Sequence, residues 1–192
     1  QSTRMAWDEC VDPKMFEGSG WKLRAELTGC TNFIEVLRRQ SPALAEHFGP
    51  ADAMMSHSWE NSLISLDRAL QQHVRKKGLN PRKFRVWLDG FCINKVAECT
   101  PAFLQTTFKE VILGSGQMLS VLEPFEQPLP LFRSWCTFEM YVAVTGLDVD
   151  KWTVIFSPEE EERMEEAVLR RSLGQMQRYV DEVDVMQATA FQ

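Results

Sequence analysis

Within RSWCTFEMYVAVTG, residues 133–146, a single carboxylate, Glu139, stands among Trp135, Cys136, Phe138, Met140, Tyr141, Val142 and Val144. A glutamate in such a segment lies either on the wet edge of a helix or in a pocket, and most glutamates are exposed. In a poorly hydrated crevice a carboxylate can orient a bound group and stabilise developing positive charge. Two other short stretches combine polar and aromatic groups: SHSWE at 56–60 and LDGFCIN at 88–94. Ser56, His57 and Asp89 contain the types of a hydrolase triad, but no G-x-S-x-G elbow accompanies them. His57 suits either a hydrogen bond to a neighbouring loop or a ligand. Asp89 before Gly90 suits an Asx-type turn as well as a chemical role. Trp59 and Trp135 can plug a core or form a stacking wall.

Metal and phosphate-loop chemistry find little support. His47, His57 and His73 have no ligand spacing, so no metal site is expected. LGSGQ at 113–117 lacks the lysine and the strand-loop-helix order of a P-loop. The basic string RKKGLNPRK, residues 75–83, reads as a solvated helix end and loop.

The elements that must position these residues alternate. Apolar runs at 51–59, 83–92, 117–125 and 151–157 read as strands. Helical spacing follows each: Leu63, Leu66, Leu70 and Val74 up to Gly78; 101–116 with Phe103, Phe108, Val111 and Ile112 and a stop at Gly114; 133–146; and 159–180. The stretch 181–191 offers a fifth strand. This alternation predicts an α/β three-layer sandwich with a mostly parallel four- or five-stranded sheet. Residues 1–50 read as an N-terminal extension packed on a domain at 51–192, with a helix from Thr31 or Asn32 carrying Phe33, Val36 and Leu37 on one face. In an open parallel sheet ligands bind beyond the carboxyl ends of the strands. That rule brings Ser56, His57, Trp59, Asp89 and Asn94 to one rim, with Glu139 and Trp135 on the helix after the third strand.

Composition bounds the function classes. The 192 residues are 44% hydrophobic and carry a formal net charge of −6, which argues against a nucleic-acid face. Five cysteines, an odd number without a close C-x-x-C pair, fit a reducing, cytoplasmic setting better than a disulfide framework. No apolar run approaches the ~20 residues of a membrane span.

The segment from about Asp52 to Ser157 resembles a Toll/interleukin-1 receptor-type (TIR) domain. DAMMSHSWEN is similar to its first strand box, VWLDGFCIN to a middle strand with an acid at its tip. SWCTFE is similar to the serine-x-tryptophan-cysteine-x-x-glutamate helix of NAD-cleaving and plant-like members, with Ser134 directly before Trp135. The acidic cluster after the first box is reduced to Glu60, and FCINKVAECTP replaces the usual proline-glycine loop. The resemblance implies a flavodoxin-like TIR topology and cleavage of the nicotinamide–ribose bond of NAD, with no separate cofactor. Glu139 then corresponds to the essential glutamate at the ribose hydroxyls. Trp59 or Trp135 would stack a ring, and Ser56, His57, Asp89 and Asn94 would line the nucleotide. Self-association or pairing with other TIR-like domains is implied as well. A non-catalytic signalling and interaction module remains the alternative, and a related nucleoside-processing enzyme a third reading.

Overall fold

The structure, a computed structural model, describes residues 30, 32–93 and 100–169. Four parallel strands form one sheet in the order β2-β1-β3-β4: β1 Ala53–Ser56, β2 Val86–Trp87, β3 Met118–Val121 and β4 Trp152–Ile155. Helices α1 Phe33–Gln40, α2 Leu63–Lys76, the single turn α3 Asp89–Cys92, α4 Pro101–Ser115, α5 Ser134–Gly146 and α6 Pro158–Leu169 connect and cover them. The molecule is thus the expected α/β layered fold, of flavodoxin-like strand order. The fifth-strand candidate at 181–191, and the stretch 1–29 assigned to the extension, lie outside the described residues. None of the described helices is long and apolar enough to cross a membrane.

The period-two side-chain alternation of strands sorts the core into two layers. Met54 and Met118 face α4 and α5, where they meet Phe108, Ile112, Cys136 and Met140. Ala53, Met55, Leu119 and Val121 face the opposite side and meet Leu66 and Ala69 of α2. Central β1 and β3 are buried at every position, as parallel strands covered on both faces must be.

Several boundaries differ from the sequence expectation. The second apolar run forms only a two-residue strand, because β2 pairs with β1 solely at Ala53 and Met54. Its next residues coil instead: Asp89 Oδ1 accepts the Gly90 N–H at 2.6 Å and opens the turn α3. Helix α4 passes through Gly114 and stops at Gly116, whose φ of 68° lets its N–H reach the Ile112 carbonyl. Phe103 is exposed, and Leu104 takes the inward position. Asn32 caps α1 by accepting the Glu35 N–H at 3.0 Å, and Phe33 packs on Phe91 of α3 with ring centroids 5.4 Å apart.

Candidate functional site

Helix α5 resolves the position of its carboxylate. Cys136, Glu139, Met140 and Ala143 recur at i, i+3, i+4 and i+7, and all four are buried, whereas Tyr141 and Val144 face outward. Glu139 therefore sits in the middle of the buried stripe, 5% exposed, rather than on the wet edge. Residues 133–146 follow β3, and β1 and β3 are neighbours with β2 on the far side of β1. The chain order reverses at this pair of strands, and Glu139 meets β1 at its carboxyl end.

Ser56, the last residue of β1, donates its hydroxyl to Glu139 Oε2 at 2.5 Å. This bond joins the strand tip to the helix and satisfies one oxygen of the buried carboxyl. Burial pushes the Glu139 carboxyl up to about 8; the Ser56 hydrogen bond opposes that rise and the nearby Asp89 charge adds to it. The Cys136 thiol one turn earlier donates to the His57 carbonyl at 3.2 Å, tying the loop after β1 to α5. Burial, followed by the Glu139 charge, raises that thiol well above its usual range, which disfavours the nucleophilic thiolate.

Above Glu139 is a cavity of about 20 Å³ bordered by His57, Trp59, Asp89, Arg133, Trp135 and Glu139, among others. That volume holds roughly one water. Trp59 donates its indole N–H to Asp89 Oδ2 at 2.7 Å while remaining 52% exposed. It forms a partly exposed wall of the cavity. His57 Nε2 lies 3.8 Å from Asp89 Oδ1, beyond hydrogen-bond reach. Trp135 packs edge-on against Phe108 and Phe138, with centroids 5.7 and 6.2 Å apart. Arg133 ends the loop before α5, and its guanidinium is 4.0 Å from Glu60.

The structure thus brings His57, Trp59, Asp89, Trp135 and Glu139 to one cavity from three separate stretches of chain. Ser56 is set behind Glu139, 1% exposed, as the residue that orients the carboxyl rather than a wall facing ligand. Because its hydroxyl is directed to Glu139, no Ser56–His57–Asp89 relay is assembled. Asn94 lies outside the described residues. Sequence reasoning overlooked Arg133 as a site group; its place one residue before α5 was the available signal. Among the described residues, no cluster of three or more histidine, cysteine or acidic side chains could hold a metal ion. Comparison with protein-family models, curated proteins and solved structures finds no match.

Proposed function

We propose that the chain is a TIR-like NAD⁺ nucleosidase, with Glu139 as its catalytic carboxylate. The observation that carries this reading is the buried Ser56–Glu139 pair beneath a cavity walled by Trp59, Trp135 and Arg133. Nicotinamide in NAD⁺ is already cationic, so the C1′–N bond breaks with its electron pair going to nicotinamide, which leaves neutral. The ribose is left as an oxocarbenium ion. Water then adds its oxygen to C1′ and releases a proton, giving ADP-ribose. In its ionised form, populated as pH rises toward about 8, the carboxylate held by Ser56 is suited to accept hydrogen bonds from the ribose hydroxyls and to offset the charge at C1′. Trp59 and Trp135 offer faces for the nicotinamide ring, and Arg133 a cation for phosphate.

A space of about 20 Å³ is too small for a ribose, so binding on this reading requires the Trp59 wall to swing outward. The same closure favours a second reading, a non-catalytic interaction module in which Ser56–Glu139 only fastens α5 to β1. On either reading self-association or pairing with other TIR-like domains belongs to the proposal. So does a cytoplasmic setting, with which the free thiols of Cys30, Cys92 and Cys136 agree.

The test is nicotinamide release from NAD⁺ by concentrated wild-type protein beside Glu139→Gln. The nucleosidase reading expects a loss of about 10²–10³-fold in the variant, the size typical of removing one preorganised electrostatic group. Equal release from both would remove Glu139 from the mechanism. Release from neither, with the protein assembled or dilute, would overturn the nucleosidase reading and favour the module.

A further inference from the structure

A second cavity, of about 280 Å³, opens at the β2 edge of the sheet between α1 and α2. Its lining is mainly apolar and includes Phe33, Leu37, Leu66, Leu70, Phe84 and Val86. Space of this kind holds water poorly and lies just under the ~300–1,000 Å³ of ligand pockets. At the ~30 Å³ that one water occupies in the liquid, it would accommodate roughly nine heavy atoms.

The polar groups at this cavity are unequal in charge. Among the described residues Arg82 and Arg85 border it, against one carboxylate, Asp67. Asp67 Oδ2 accepts the Gln71 side-chain amide at 2.6 Å. The Arg85 guanidinium donates to the backbone carbonyls of Glu46 and His47 at 3.0 and 3.2 Å. Those carbonyls fix its direction without cancelling its charge; the nearby Asp52 carboxylate accepts the Arg85 backbone N–H instead. Among the described residues neither Arg82 nor Arg85 forms an ion pair with a carboxylate. An apolar chamber bordered by two guanidinium groups without an ion pair among the described residues, against one carboxylate, complements a ligand with a hydrocarbon body and an anionic head.

We infer that this cavity binds an amphiphilic monoanion, a carboxylate on a hydrocarbon chain of about nine carbons, with its tail among Leu37, Leu66 and Leu70 and its head at Arg82 and Arg85. The site is independent of NAD⁺ cleavage: it lies on the α2 side of the sheet, whereas Glu139 lies on the α5 side. Met55 alone of the described residues borders both cavities.

Isothermal titration of the full chain tests this with decanoate, using decanol and decyltrimethylammonium as neutral and cationic counterparts of equal chain length. Saturable one-to-one binding of decanoate is expected, with decanol weaker and the cation weakest. Arg82→Glu, at an exposed position, is expected to weaken decanoate by about fivefold or more and to leave decanol unchanged. Leu70→Trp, which fills the chamber, is expected to abolish binding of decanoate and decanol; thermal melts of both variants confirm folding. The inference is overturned by an absence of decanoate binding, as when the chain's own residues occupy the chamber. Equal affinity for all three probes, or decanoate affinity unchanged by Arg82→Glu, overturns it too.

Discussion

Replacing Glu139 by glutamine removes a proton-binding group that the folded and unfolded chains treat very differently. The carboxyl titrates near its ordinary 4.5 when unfolded and at about 8 when folded, chiefly because burial disfavours its charge. Between those two values the folded chain keeps a proton that the unfolded chain releases. Stability therefore falls as pH rises through that window, by about 1.4 kcal/mol for each pH unit in its middle. Below the window both states are protonated, and above it neither is, so the cost saturates at about 5 kcal/mol. Glutamine has no such proton, yet its carbonyl still accepts the Ser56 hydroxyl. Relative to wild type, Glu139→Gln should thus gain about 1 kcal/mol at pH 5, about 3 at pH 7 and about 5 above pH 9. Urea unfolding of the two proteins at a series of pH values measures the difference directly. Titrating groups that do not interact with Glu139 are common to both proteins and cancel, the coupling to Asp89 and Cys136 remains as a smaller contribution, and any fixed cost of the amide appears as a constant offset. A difference that stays flat to within about 0.5 kcal/mol from pH 5 to 9 would refute the reasoning. It would mean that Glu139 ionises alike in both states and is not desolvated.

If the ribose contact needs the carboxylate form, nicotinamide release measured as kcat/KM should rise with pH through about 8, the region where folded Glu139 ionises. Ser56→Ala removes the hydrogen bond that opposes the rise, so it should move that midpoint further up; a profile indifferent to Ser56 would show that the pair does not set it. At the end of α4, Gly116→Ala should cost about 1 kcal/mol in urea unfolding. The φ of 68° supplies that cost, because an added Cβ meets nothing within 4 Å. Gly114→Ala, inside the helix, should be neutral or stabilising.

The α/β class was legible along the chain because alternation of apolar runs and helical spacing is a local property. Residues such as Asn32 and Thr100 cap helices by reaching backbone N–H groups only three positions ahead. Glu139 was harder to read, since α5 carries apolar side chains on its exposed side too, at Tyr141 and Val144. Spacing alone could not say which stripe faced inward. The stop expected at Gly114 falls instead at Gly116, because either glycine tolerates a left-handed backbone and local spacing does not tell them apart.

The sequence by itself determined the order of elements, the strand tips that form a rim, and the presence of an acid on the helix after the third strand. Tertiary structure alone decided that this acid is buried, that Ser56, 83 positions earlier, holds it, and that its cavity admits about 20 Å³. The physical reason is range. Backbone periodicity and capping act over a few residues, whereas desolvation and cavity volume are set by side chains that distant segments bring into contact.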